Sequence, residues 1–268
     1  MSTYKKLISF GTGTLLLSLL SVLTVTEGSK LQAEEVRGNL TLEEIADMEN
    51  VTVGEQVSVR GEAEEFEPGK SFILEEKGFF GGDEVLVINV SGLMIPPAVE
   101  DDDVELQVTG EIAMLTVADV EREYGLDLDP ELYVDYETQP VILAKSMVLA
   151  PDIEDVAENP EDYYGQEIAL QGEIDEVKTL YTFTLKEEAI FDDDELLVIN
   201  ATGLPIPEED ETVVVIGRVR PYIQAEFERD YDLTWDLDIQ QEIEAEYTEK
   251  PVLVIDSMYP SAEDKGLF

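Results

Sequence analysis

The sequence predicts a mainly β protein, built as two tandem, small, five-stranded Greek-key barrels. Three observations predict it. First, residues 54–147 recur at 165–258, through long stretches at a fixed offset of 111 residues. VSVRGEA (Val57 to Ala63) returns as IALQGEI (Ile168 to Ile174), and EVLVINVSGL (Glu84 to Leu93) as ELLVINATGL (Glu195 to Leu204). SFIL (Ser71 to Leu74) returns as TFTL (Thr182 to Leu185), and PVILAKSM (Pro140 to Met147) as PVLVIDSM (Pro251 to Met258). Second, each copy carries five strand candidates, the clearest with the two-residue alternation of a half-buried strand. Third, glycine stands inside the first and fourth of them at matching places, where it marks sharp bending. Bent long strands are how a small sheet closes on itself.

The chain opens with Lys5 and Lys6, an apolar stretch from Leu7 to Val25 that is densest at Leu15 to Leu23, and a small residue at Ala33. A positive start, a hydrophobic run and a small residue before acidic sequence predict a secretory signal. The same stretch is just long enough for an uncleaved membrane anchor, although Gly11, Gly13 and several Ser and Thr dilute it. Residues 1–33 are therefore read as a signal peptide or N-terminal anchor, 34–150 as the first domain and 151–268 as the second.

Each unit begins with a short helix. Thr41 and Glu44 have capping-box spacing, and Leu42, Ile45 and Met48 fall on one face. In the second unit Asp152 caps a turn carrying Ile153, Val156 and Ala157, which Asn159-Pro160 stops. Strands follow. Val57, Val59, Gly61 and Ala63 alternate with polar residues; Phe72 and Leu74 mark the second strand. Val85 to Ile88 is apolar on both faces and needs cover on both. Val104, Leu106, Val108, Gly110 and Ile112 alternate, as do Val213, Val215, Gly217 and Val219, and Val141 to Leu149 forms the fifth strand. Between the fourth and fifth lies a long acidic insert, Glu121 to Glu137 in one unit and Glu228 to Tyr247 in the other. Val117, Val120 and Tyr124 have helical spacing, which predicts a helix over 117–124.

Five glycine-bent strands in a unit of this size suggest a barrel of the OB type. The segments NPEDYYGQEIALQGEI (Asn159 to Ile174), FTL, ELLVI and VVVIGRV (Val213 to Val219) resemble OB-fold domains of exported bacterial proteins. The likeness rests on a Tyr-Gly-x-x-(I/V)-x-(L/V)-x-Gly opening and an E-R-E-Y-G-like segment before the last strand. The periplasmic bacterial OB-fold family is a more distant likeness. The resemblance spans both units and implies fold, not activity, and no catalytic residue is carried over. One departure stands out: the usual OB helix lies between strands three and four, where this chain has SGLMIPPAVEDDD (Ser91 to Asp103). A helix moved to the next connection alters or blocks the usual ligand groove.

Charge narrows function further. The chain has 16 basic and 63 acidic residues. Residues 1–33 contain Lys5, Lys6, Lys30 and Glu27, so the remainder has 13 against 62, a net charge of −49. Such a surface repels phosphate backbones and excludes nucleic acid as partner. A hydrophobic content of 44% with regular patterning argues against disorder. The expected explanation is a surface tuned to high salt, where counter-ions screen the repulsion; a low-affinity cation-binding surface competes with it.

His and Cys are absent. That removes Ser-His-Asp and Cys-His catalysis, His- or Cys-ligated zinc, thiol redox chemistry and disulfides. There is no glycine-rich phosphate loop and no dinucleotide fingerprint. Paired carboxylates for glycoside hydrolysis remain, but any two of so many acids look like a pair. Calcium needs only oxygen ligands. Its candidates are Glu100, Asp101, Asp102, Asp103, Asp127, Asp129 and Glu131 in the first unit and Asp192, Asp193, Asp194 and Glu195 in the second. The four-carboxylate runs fall at non-matching places in the two units, which favours solvated acidic turns. Aromatic candidates for ligand contact are Tyr133, Tyr136, Tyr231, Trp235 and Tyr247, with anchoring of the insert as the preferred role. Asn89 and Asn200 lie in matching Asn-x-(Ser/Thr) sequons at strand ends, where a turn role suits them better than glycosylation.

The expectation is an exported, extracytoplasmic (periplasmic or secreted), non-enzymatic binding or scaffold protein with a salt-adapted surface. Its partner would be a protein or a glycan, and it would meet a membrane only through an uncleaved N-terminal segment. No cofactor is expected beyond weakly bound calcium. A calcium-responsive surface protein is the alternative, and a carboxylate-based glycoside hydrolase the third reading.

Overall fold

A computed structural model describes residues 39–76, 82–96, 105–187, 195–231, 237–248 and 250–262, and the statements below concern these. The predicted signal or anchor lies outside them. All described residues belong to one compact unit, 35–268.

The first repeat contains β1 (Asn39–Leu40), α1 (Leu42–Ala46), β2 (Gln56–Glu67), β3 (Ser71–Glu75), β4 (Glu84–Asn89), β5 (Glu105–Met114), α2 (Val117–Tyr124) and β6 (Pro140–Ala150). Strand β2 pairs with β3, β3 with β4 and β5 with β6, all antiparallel, while β4 and β6 run parallel. Pairing of β5 back onto β2 closes a five-stranded barrel. Val57, Val59, Phe72, Leu74, Val85 and Val87 fill it.

The second repeat contains α3 (Ile153–Glu158), α4 (Pro160–Tyr163), β7 (Glu167–Thr179), β8 (Thr182–Lys186), β9 (Glu195–Asn200), β10 (Thr212–Pro221), α5 (Gln224–Tyr231), α6 (Leu237–Tyr247) and β11 (Pro251–Pro260). Its pairings repeat the order of the first: β7 with β8, β8 with β9, β9 with β11, β11 with β10 and β10 with β7. The chain is thus mainly β, with a closed barrel and further strands beyond it. At the junction Leu149 of β6 pairs in parallel with Ile168 of β7. Val148, Ala150, Ala169, Val214 and Ile216 form a small buried cluster there.

The continuous apolar strand is explained by its two faces. Val85 and Val87 point into the barrel. Leu86 and Ile88 point outward, into a cluster with Val117 and Val120 of α2. The expected helix at 117–124 coincides with α2, whose C-terminus is closed by Gly125 in the left-handed region at φ 70°. Capping at α1 is also as expected: the Glu44 amide donates to Thr41 Oγ1 at 3.1 Å, and the Thr41 amide to Glu44 Oε2 at 3.2 Å.

Three local expectations change. Asp152 precedes α3 but makes no side-chain capping bond. Its carboxylate lies 3.5 Å from the Arg60 guanidinium across the junction instead. Pro160 does not simply stop helical structure; α3 ends at Glu158, and Pro160 starts the short α4, where its missing N–H costs nothing. Strand β1 was not expected. It pairs in parallel with β2 through only two residues, too few for any period to show.

The conserved placement of glycine between the repeats has a steric cause. The pairing register of β5 with β6 slips between Thr109 and Gly110, and that of β10 with β11 between Ile216 and Gly217. A Cβ on Gly110 would lie 2.5 Å from the Leu143 carbonyl oxygen. The bulges let the strands bend, and only glycine leaves room for the backbone opposite.

Candidate functional site

The outer face of β3 and β4 is where OB-type barrels take ligands. In this chain it is covered by the connection between β5 and β6. Ile73, Leu86 and Ile88 are buried beneath Leu115, Val117, Val120, Leu128 and Tyr133. In the second repeat Leu197 and Ile199 of β9 are buried with Tyr222, Phe227, Ile243 and Tyr247. Each repeat thus lays its own insert over that face.

Two of the aromatic candidates hold the inserts down. Tyr133 is fully buried; its hydroxyl donates to Glu67 Oε2 at 2.7 Å and lies 2.8 Å from Ser71 Oγ. Burial pushes that hydroxyl well above the usual tyrosine range. Glu67 Oε1 accepts from Lys70 Nζ at 2.6 Å, and Lys70 also donates to the Asp127 carbonyl, tying insert to barrel. Burial would raise the Glu67 carboxyl, but the bonds from Lys70 and Tyr133 outweigh it and hold the carboxyl below its ordinary value. Tyr247 is equally buried and donates to Glu195 Oε1 at 2.5 Å. Neither ring is accessible, and both take the anchoring role rather than that of a ligand platform. Tyr136 is half-buried and packs edge-on to Phe66, with centroids 5.3 Å apart. Tyr231 is the last residue of α5. Trp235 lies outside the described residues.

Of the acidic candidates, Glu100 to Asp103 and Asp192 to Asp194 lie outside the described residues. Glu195 opens β9 and is held by Tyr247. Asp127, Asp129 and Glu131 are exposed on the insert; Asp129 Oδ1 accepts the Glu131 amide at 3.0 Å in a local turn. Among the described residues no three carboxylates are grouped closely enough to hold a metal ion, so this alternation does not converge. Nor, among them, is any helix long and apolar enough to cross a membrane.

Asn89 and Asn200 serve as turn residues. Asn89 Nδ2 donates to the Leu93 carbonyl at 2.8 Å, and its Oδ1 accepts from Ser91 Oγ at 2.6 Å. Asn200 does the same with Leu204 at 2.9 Å and Thr202 Oγ1 at 2.6 Å. Both side chains are buried, which leaves no room for a glycan.

Among the described residues, cavities open at the junction and beside the first insert. One, of about 440 Å³, lies where the repeats meet. Matching positions of both repeats line it: Thr41 and Asp152, Arg60 and Gln171, Glu76 and Glu187. Arg60 pairs with Glu105 and Asp152 and donates to the Ala150 carbonyl at 2.8 Å, so it knits the junction. The other cavity, of about 570 Å³, lies beside the first insert and is lined by Phe66, Glu84, Leu86, Leu132, Asp135 and Tyr136, among others. The sequence flagged Tyr136 but not Phe66, Glu84 or Asp135. The available signal was the repeat itself, since Glu84 and Tyr136 align with Glu195 and Tyr247.

Compared with known proteins, the chain matches no family model and no curated protein.

Proposed function

We propose that the chain is an exported, non-enzymatic binding or scaffold module made of two tandem OB-like barrels, with a salt-adapted acidic surface and a protein or glycan as partner. One observation carries the reading: in both repeats the face on which OB-type barrels take ligands is filled by the chain's own insert. Recognition is left to the inserts, their flanking cavity and the junction, and the buried rings of Tyr133 and Tyr247 serve as anchors. The net charge of −47 opposes nucleic acid. The absence of His and Cys leaves carboxylates as the main acid–base groups, consistent with a protein that performs no reaction.

Calcium calorimetry on the chain without residues 1–33, in about 1 M KCl, where the Debye length is about 3 Å, tests this against the calcium-responsive alternative. The expected result is no saturable heat at millimolar calcium. Stoichiometric binding would replace this proposal with the alternative, and turnover in a screen of glycosidic substrates would replace it with the hydrolase.

A further inference from the structure

The two repeats differ most tellingly beside their inserts. In the second, Tyr247 donates to Glu195, and the Lys250 ammonium sits 5.3 Å from the centre of the Tyr247 ring. An ammonium there is attracted to the electron-rich ring face. In the first repeat Tyr136 and Glu84 occupy the matching positions, but Lys250 is replaced by Gln139. Beside Gln139 the first repeat has the cavity of about 570 Å³. Its ring wall is doubled: Phe66 meets Tyr136 at 80°.

A second lysine of the second repeat has a carboxylate at the matching position in the first. Across β7, β8 and β9 the residues Glu173, Lys186 and Glu195 stand side by side. Lys186 bridges Glu173 at 2.8 Å and Asp175 at 2.7 Å. Across β2, β3 and β4 the matching row is Glu62, Glu75 and Glu84. Like charges directly opposite one another destabilise a sheet. The effect is visible in Glu75, whose carboxyl is pushed up by burial and then by Glu64, Glu84 and Glu62. Tyr136 is likewise pushed up, by burial first and then by Glu84, Asp135, Glu64 and Glu75. The first repeat thus keeps the ring and the carboxylates but lacks both lysines that serve them in the second.

We propose that the cavity bounded by Phe66, Tyr136, Glu84 and Asp135 binds an alkylammonium group, which takes the place that Lys250 fills in the second repeat. Metal ions fit poorly, because among the described residues no three carboxylates converge. An alkylammonium needs no such convergence. It uses ring faces for its carbon-bound charge and carboxylates at longer range. The inference rests on the binding-module reading and gives it a ligand class. A free quaternary amine and a lysine side chain share this chemistry, and the probes below distinguish them.

The test is calorimetry on the chain without residues 1–33 in about 1 M KCl, which screens general attraction to the acidic surface. The probes are choline, butylammonium and calcium chloride. One saturable site is expected for an ammonium probe, and the tighter of the two identifies the source. Tyr136→Ala should weaken it by about tenfold or more, through loss of the ring. Gln139→Lys and Glu75→Lys, which restore the lysines of the second repeat, should weaken it similarly while leaving the melting midpoint unchanged or higher. Ammonium binding that survives Gln139→Lys and Glu75→Lys would overturn the assignment, even if Tyr136→Ala does not fold. So would saturable calcium without ammonium binding. No ammonium binding at about 50 mM, weaker than any affinity of use to a module, would also overturn it. That last result would leave the binding-module proposal standing, since calcium and glycosidic substrates test it separately.

Discussion

Replacing Gly217 with alanine is expected to cost about 3 kcal/mol or more, a large share of the 5–15 kcal/mol typical of a domain. The added Cβ would strike the Val254 carbonyl oxygen and lie 2.7 Å from Ile255 Cα. These are backbone atoms of the paired strand, so no side chain can rotate away. Gly110→Ala meets the same obstruction at Leu143 and is expected to behave alike. Denaturant melts of both variants, with Gly69→Ala as control, check this. Gly69 has φ 72° but open space around it, so its strain is conformational, about 1 kcal/mol. A Gly217→Ala midpoint no lower than the Gly69→Ala midpoint would show that the bulge is not sterically fixed.

Tyr247→Ala and Tyr133→Ala are each expected to cost about 3–5 kcal/mol, the range for emptying a large buried aromatic site. The loss has a second part. Without its phenol donor, Glu67 keeps Lys70 at Oε1 but is left at Oε2 with the long bond from the Asp129 amide, 3.4 Å away. Tyr133→Phe isolates that part, expected at about 1–3 kcal/mol. A ligand platform would behave differently, since exposed rings change stability by less than about 0.5 kcal/mol when removed. Equilibrium unfolding of the three variants separates an anchor from a platform.

How much of this is legible in the sequence depends on length of pattern. The repeat, the alternating strands and the helix at 117–124 rest on many residues each, and their described residues appear where expected; Val104 lies outside them. The double-sided burial of Val85 to Ile88 was readable too, because an apolar run without alternation needs cover on both faces. What covers it was readable only in part: Tyr133 is expected to anchor the insert, but Leu128 lies in an acidic stretch whose apolar residues have no regular period. Strand β1 and the displacement of Asp152 from its cap depend on tertiary partners, Ser58 and Arg60, that no local window contains. The insert cavity was hidden for another reason. Its meaning comes from the difference between Gln139 and Lys250 and between Glu75 and Lys186, visible only when matched positions are known to share a place in space.

The central claim is that the acidic surface is solvated and salt-adapted, around a module that needs no metal. At about 0.01 M ionic strength the Debye length is about 30 Å, so most carboxylates feel one another. At about 1 M it is about 3 Å and only near neighbours interact. Folding gathers 62 acidic and 13 basic residues beyond position 33 into a small volume, and no disulfide offsets their repulsion. Melting curves across that range of KCl, with and without millimolar calcium, test the claim most directly. The account predicts a midpoint that climbs steadily with KCl, by the equivalent of several kcal/mol against the 5–15 kcal/mol typical of a domain, and changes little with calcium. A midpoint flat in KCl that jumps with calcium would contradict it.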